Sequence, residues 1–353
     1  MKIMIVSLHF GPGHIAHLKA WYKMCRLCDY DASMYVNKEY NKFFDCNKYK
    51  MLLSLDKIEE YKPDIVLLYN FGIENLQFVQ WCRKNRIKVI YVLHEPYMGV
   101  RELLKDGTYI FKQATACILN YIICNKATRV MLCSDYAVTN CKKYMRVAYK
   151  KHIRFPLIFE DEYLETDVEE RKYFSLIGTY ASSKGSDLFL RFIKESVCAG
   201  YDIDFQIATR SDMSELLNEP VFKNLIESGK LIVQQGKAMT QSEINEAYRR
   251  SLCCWNGYRR STQSGVLPNA FMMGTPVLAS HQGSFEEFVR PGENGEFIDA
   301  SSLTSIYDAY IQIKQNSEHM TNKCRENFLE KFSVQSQMTK FKSIIRELCD
   351  NIN

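Results

Sequence analysis

Short apolar runs alternate with amphipathic stretches along the first half of this chain, give way to an acidic segment, and then begin again. Runs at Lys2–Ser7, Ala32–Val36, Ile65–Tyr69, Val89–Leu93 and Arg129–Ser134 read as strands, with helices predicted at Ile15–Arg26, Ile73–Asn85, Val100–Asn125 and Tyr136–Tyr149. After Pro156 and the acidic linker Glu160–Glu170, strands are predicted at Tyr173–Ile177, Asp204–Ala208, Leu231–Gln235, Cys253–Asn256, Val277–Ala279 and Gly295–Ile298. The intervening helices fall at Asp187–Ala199, Ser242–Arg250, Gly265–Met273, Phe285–Val289 and Ser302–Gln315, and Val334–Leu348 reads as a terminal helix. Parallel strands need a crossover segment between them, so this alternation constrains each half to a doubly wound, parallel α/β sheet. The 353 residues suffice for two such cores, divided as 1–160 and 171–333 with a terminal helix over 334–353. Two units joined by one linker imply a cleft, and sheets of this kind take ligands beyond the carboxyl ends of their strands.

Composition narrows the function classes. Thirteen cysteines without a secretory signal point to reduced thiols in a cytoplasmic protein, and Cys25-x-x-Cys28, lacking a second pair nearby, reads as two structural thiols. No run approaches the roughly 18 apolar residues of a spanning helix; Ala114–Ile123 is short and interrupted by Asn120. The expectation is a soluble protein or one peripheral at the inner face of a membrane. Lys and Arg outnumber Asp and Glu by 23 to 13 over residues 1–150, whereas residues 151–353 hold 23 against 28. The basic first half suits a negative partner such as lipid headgroups or an anionic acceptor. No basic helix with interleaved stacking aromatics matches a nucleic-acid reader, so no nucleic acid is expected.

Three loops of the second half carry chemistry. Ser261–Gly265 is a polar turn before a short helix that Gly274 and Pro276 end, a seat where backbone N–H groups and the helix dipole favour an anion such as diphosphate. Gly178-Thr-Tyr-Ala-Ser-Ser-Lys184-Gly185 joins glycine freedom to one cation, and Gly283-Ser-Phe-Glu-Glu287 follows another strand. Each is open to a plainer reading. Lys184 is a surface lysine or, because a cation opposes the dipole at a helix start, a functional one. His94 is a strand-end histidine satisfied by backbone or a group facing a ligand. Glu287 fits a solvated first turn equally well, while Asn269, inside an apolar helix, needs partners that a ligand can supply.

The order Gly178…Lys184-Gly185, then Tyr258…Gln263-Ser-Gly-Val…Ala270…Gly274-Thr-Pro-Val277, then Gly283…Glu287…Gly292…Gly295 resembles the nucleotide-sugar-dependent glycosyltransferases of GT-B fold, in particular the retaining group numbered family 4. Gly11-Pro-Gly13, His94-Glu95-Pro96 and Ser134 occupy the expected positions of the first half. The resemblance implies two Rossmann-like domains with parallel sheets facing a central cleft, the first binding acceptor and the second a nucleoside-diphosphate sugar, and a terminal helix returning to the first. It implies that Lys184 neutralises the leaving diphosphate. Gly178, Thr179, Thr262, Gln263, Ser264, Gly265 and Asn269 would hold the nucleotide. His94 would face the donor sugar, Glu287 would sit near hydroxyls, and Gly11, Gly13 and His14 would line the acceptor side. The implied acceptor is a glycan or lipid-linked glycan of surface polysaccharide assembly, with no obligatory cofactor or metal. The family's two glutamates, eight apart, fall here on Ser261 and Asn269, and its basic residue after the first strand of this half falls on Thr179. Arg259 or Arg260 stands near enough in sequence to replace that cation.

Rival readings remain. Gly11-Pro-Gly-His-Ile-Ala16 fits a dinucleotide fingerprint with Asp29 or Asp31 following, although Leu8-His9-Phe10 separates it from the strand and Pro12 removes a donor. An NAD-dependent oxidoreductase, a nucleotide-sugar epimerase and a non-catalytic sugar-nucleotide binder are the alternatives. Met34–Lys50 mixes aromatics and lysines, either resting on an anionic membrane or folded over the core. Asp202-Ile-Asp204 reads as structural rather than metal-binding.

Overall fold

A computed structural model of the chain describes residues 1–94, 96, 97, 99, 110–164, 170–261 and 264–350. It divides into two compact units, Met1–Glu160 with Lys331–Asn353, and Asp161–Glu330.

The first unit runs β1 (Lys2–Ser7), α1 (Ile15–Leu27), β2 (Asp31–Val36), α2 (Leu55–Tyr61), β3 (Ile65–Tyr69), α3 (Ile73–Lys84), β4 (Lys88–Leu93), α4 (Ile110–Lys126), β5 (Arg129–Leu132), α5 (Asp135–Tyr144), α6 (Arg146–Tyr149) and β6 (His152–Arg154). All pairings are parallel in the order β2-β1-β3-β4-β5-β6. β3 and β4 are buried on both faces, which is why they read as unbroken apolar runs. The chain comes back after the second unit: Phe159 N–H donates to Phe332 O, Val334 N–H donates to Phe159 O, and α14 (Met338–Asp350) packs Phe341 against Trp21 and Phe155.

The second unit runs β7 (Tyr173–Ile177), α7 (Ser186–Cys198), β8 (Asp204–Ala208), α8 (Pro220–Glu227), β9 (Leu231–Gln234), α9 (Gln241–Arg249), β10 (Ser251–Asn256), α10 (Val266–Met272), β11 (Val277–Ala279), α11 (Phe285–Phe288), β12 (Gly295–Phe297), α12 (Leu303–Gln315) and α13 (Ser317–Lys331). Its sheet is also parallel, in the order β12-β11-β10-β7-β8-β9. An aromatic knot of Phe174, Phe189, Phe192, Phe205 and Trp255 fills its core. Each such ring contributes on the order of 2–3 kcal/mol of apolar burial.

The strand order matters for function. Connections leave in opposite directions from β1 and β3 in one sheet, and from β7 and β10 in the other. Crevices for ligands open at such reversals, beyond the strand carboxyl ends.

Several elements differ from the sequence reading. The helix predicted over Tyr136–Tyr149 breaks at Met145, whose extended φ of −133° ends α5. The terminal helix begins at Met338, four residues later than predicted, because Ser333 is held in a bridge to Phe159. The first ten residues of the helix predicted at Val100–Asn125, apart from a described start at Ile110, lie outside the described residues. β6, α2, α8 and α13 were not anticipated. Tyr40, Phe44 and Tyr49 are buried, so most aromatics of Met34–Lys50 face the core, with Phe43 exposed. Asp202 and Asp204 both pair with Lys230, a structural use. Cys25 is fully buried and burial pushes its thiol up, as expected of a structural thiol. No described helix is long and apolar enough to cross a membrane.

Arg171 ties the second unit together. Its guanidinium donates to the carbonyls of Tyr248, Ser251 and Met273 and to Thr275 Oγ1, reaching the turn that ends α10. Arg171→Leu removes these donors from the interior, leaving Tyr248 O only its Thr275 hydroxyl among side-chain donors, and is expected to cost about 2 kcal/mol or more. Urea unfolding that matches wild type would exclude this role.

Candidate functional site

Two backbone segments meet at the reversal between β7 and β10. Gly185, at φ +63°, closes the turn after β7 and lies so near the next loop that a Cβ there would stand 2.1 Å from Gly257 O. Gly257 is restricted in turn, because its own Cβ would strike the Trp255 indole at 2.2 Å. The indole N–H donates to Lys184 O at 3.2 Å. A core tryptophan and two glycines therefore fix where Lys184 sits.

The Lys184 side chain folds over Gly178. A Cβ at Gly178 would lie 3.7 Å from Lys184 Nζ and 3.9 Å from Val266 Cγ2, so the ammonium, the Gly178 backbone and the first residue of α10 share one locale. Nζ is also 5.8 Å from the Tyr258 ring centroid. Burial pushes the neighbouring Cys254 thiol up to about 12, offset in part by an Ile177 backbone hydrogen bond and by the Lys184 charge. Tyr258 is a hub the sequence reading did not single out for the site. Its hydroxyl is 3.4 Å from Ser264 Oγ, its carbonyl accepts from Ser280 Oγ, and Phe285 of α11 packs edge-on against its ring.

Ser264 Oγ accepts from Val266 N–H at 3.3 Å, and Gly265 is the N-cap of α10. Asn269 follows in the first turns of that helix. Its Oδ1, Ser261 Oγ and both amide atoms of Asn256 are buried without a hydrogen-bond partner among the described residues. An interior polar atom left open costs about 1–3 kcal/mol, which a hydrogen-bonding guest can recover. Arg259 is already engaged: it forms a two-pronged ion pair with Asp187 at 2.6 and 2.7 Å and donates to Ser182 O. It braces the Lys184 turn. Thr179 lies in the Gly178–Lys184 loop, and Glu287 lies on α11 beside the Tyr258–Phe285 contact. Thr262 and Gln263 lie outside the described residues.

The first unit gathers imidazoles at its own reversal. Gly11 N–H donates to Tyr40 Oη at 2.8 Å, and Asn70 Nδ2 donates to His9 O, which together hold the turn that follows β1. A Cβ at Gly11 would meet His14 Nδ1 at 2.8 Å, whereas Gly13 faces open space. The His14 ring lies 5.0 Å from Tyr69 and 5.7 Å from His94, and His17 lies 5.8 Å from Tyr69 and 6.0 Å from His94. His14 and His94 were expected here; His17 and Tyr69 were not. The helical step from His14 to His17 was the available signal. Burial, then the neighbouring His94 and His9, push His14 from 6.5 down to about 3. His17 is driven well below its usual value mainly by burial. Both rings are neutral donors or acceptors at physiological pH. Asp29 and Asp31 stand at the amino end of β2, away from this turn, so the acidic partner a dinucleotide fingerprint requires is misplaced.

Residues 171–316 match the family model described as "Glycosyl transferases group 1". No curated protein sequence matches the chain. Among solved structures the fold resembles sucrose-phosphate synthase from Thermosynechococcus elongatus, with TM-score 0.76 and 12% identity over 99% of this chain and 100% of that one. Anabaena HepE in complex with UDP aligns at TM-score 0.72 and 12% identity over 98% and 100% of the two chains. The UDP-GlcNAc 2-epimerase from Methanocaldococcus jannaschii aligns at 0.63 and 14% over 98% and 100%.

Two consequences are measurable. Gly185→Ala introduces both a clash with backbone and a strained φ, with an expected cost of roughly 2 kcal/mol or more in thermal or urea unfolding. An unchanged midpoint would mean the two loops are not pinned. For His14 the unfolded chain takes up a proton near pH 6.5 that the folded chain refuses until about pH 3, so stability falls as pH drops through that window. The slope approaches roughly 1.4 kcal/mol per pH unit. His14→Phe is expected to lose less stability than wild type on going from pH 7 to about pH 5; parallel losses would show that His14 titrates normally.

The fold is GT-B, and the match of residues 171–316, within the second unit, to the glycosyl transferases group 1 model supports a glycosyltransferase.

Proposed function

We propose that the enzyme transfers a sugar from a nucleoside diphosphate to a hydroxyl of a glycan or lipid-linked glycan, with retention of anomeric configuration, as in the group numbered family 4. The observation that carries this reading is the Lys184 ammonium held beside the Gly178 backbone and the start of α10, at the strand reversal. In this reading the second unit binds the nucleotide and the first binds the acceptor. As the glycosidic C–O bond to the diphosphate breaks, negative charge grows on the leaving oxygens, and Lys184 stabilises it where it develops. The N–H groups of Ser264 and Gly265 are assigned to the same phosphates. The acceptor oxygen bonds to the same face of the sugar, and its proton passes to the departing phosphate. Asn269 both donates to and accepts from a ribose hydroxyl, a role a carboxylate would fill as acceptor only. Gly178, Thr179, Thr262 and Gln263 complete the nucleotide seat. His94 faces the donor sugar, Glu287 approaches its hydroxyls, and Gly11, Gly13 and His14 line the acceptor side.

The UDP complex of the Anabaena neighbour supports a nucleoside diphosphate as ligand. Thirteen cysteines in a chain of this composition fit work in a reducing compartment, and the excess of cations in residues 1–150 supports an acceptor at an anionic inner membrane face. Surface polysaccharide assembly is the setting in which such acceptors arise. Because an epimerase shares the fold, product analysis separates the readings: incubation with donor alone yields an isomerised sugar nucleotide from an epimerase and none from a transferase.

A thermal-shift panel of UDP, GDP, dTDP and their sugars tests the site itself. One nucleotide is expected to raise the melting temperature, and Lys184→Ala to abolish the rise. A mutant that responds like wild type would contradict the phosphate assignment.

A further inference from the structure

We propose that the first unit carries an anion-binding site of its own, at the end of its sheet opposite the His14–His94 cluster, which holds a phosphorylated group. A cavity of about 650 Å³ opens between α1, the start of β2 and the segment that precedes Met51. That is the size of a small-molecule pocket. Asp31 and Ala32 on its wall begin β2, paired in register with the first residues of β1. Gly11, His14 and His94 instead follow strand carboxyl ends, so the two places lie at opposite ends of one sheet.

The charges around the cavity do not cancel. Its two carboxylates are each matched by a lysine, Glu160 by Lys23 at 3.1 Å and Asp31 by Lys50 at 3.1 Å. Arg26 and Lys48, which also line it, have no carboxylate within ion-pair distance among the described residues. Two unmatched cations around one space repel each other, and a dianion between them relieves that repulsion. Arginine's planar fork suits phosphate oxygens.

The remaining wall adds further donors. Tyr22 Oη accepts from Lys50 N–H at 3.1 Å, which leaves its own hydrogen to donate. Tyr49 packs edge-on to Tyr22 at 5.1 Å and stiffens that side, and Asn47 adds an amide. A phosphate monoester, at close to two negative charges, fits this set better than a single carboxylate. The phosphoryl group belongs either to a soluble phosphate ester or to a lipid headgroup, and the chemistry of recognition is common to both.

Cys46 gives a direct readout, since its exposed thiol lines the cavity, while exposed Cys198 in the second unit serves as internal reference. Maleimide labelling of the two, resolved by peptide mass spectrometry, is followed with glycerol 3-phosphate in one arm. In the other arm the probe is phosphatidylcholine vesicles with and without phosphatidic acid, whose headgroup is a phosphate monoester. The expected result is saturable protection of Cys46 but not Cys198 in at least one arm, which identifies the source. Arg26→Gln/Lys48→Gln is expected to lose that protection and keep the thermal response to nucleotide. Lack of protection in both arms, or equal protection of the double variant, would overturn the proposal.

Discussion

The contact on which the candidate site depends is the approach of Gly185 to the Gly257 carbonyl. It brings the loop after β7 against the loop after β10, and neither glycine accommodates a Cβ without a clash. Trp255 completes the lock from below. Its ring is buried among Phe174 and Phe189, while its N–H holds the Lys184 carbonyl. Core packing thus reaches the site through one indole. Arg259 secures the outer side by spending its charge on Asp187 and the Ser182 carbonyl. What results is a lysine positioned by backbone and core, with no acidic partner among the described residues, which leaves its charge available to a ligand.

The two units solve opposite electrostatic problems at equivalent places. In the second, an ammonium sits among hydroxyls, amides and backbone N–H groups, an environment that attracts a diphosphate. In the first, the histidines are crowded against Tyr69 and one another so closely that burial keeps His14 and His17 uncharged. Neutral imidazoles offer hydrogen-bond donors and acceptors without attracting phosphate charge, which is consistent with the acceptor role proposed for this unit.

The sheets were legible in the sequence because parallel strands buried on both faces leave unbroken apolar runs, such as Ile65–Tyr69 and Val277–Ala279. β6 escaped notice because His152–Arg154 is only half buried, and its placement comes from the Leu132 strand beside it. α8 begins on Pro220 and spans eight residues; Val221, Phe222 and Leu225 face the core, but two turns are too few for the helical period to stand out in the sequence. Of the site, glycine and lysine spacing was visible on the chain. The roles of Tyr258, Tyr69 and Asn256 were not, since they arise from which strands lie side by side. Arg259 shows the same limit: sequence proximity suggested a phosphate partner, and folding commits it to Asp187.

The most direct measurement is the position of the diphosphate in a crystal structure of the enzyme with its nucleoside diphosphate. Phosphate oxygens are expected within hydrogen-bonding distance of Lys184 Nζ and of the backbone N–H groups at the start of α10. A diphosphate bound at any other place in the second unit, with Lys184 turned to solvent, would contradict it.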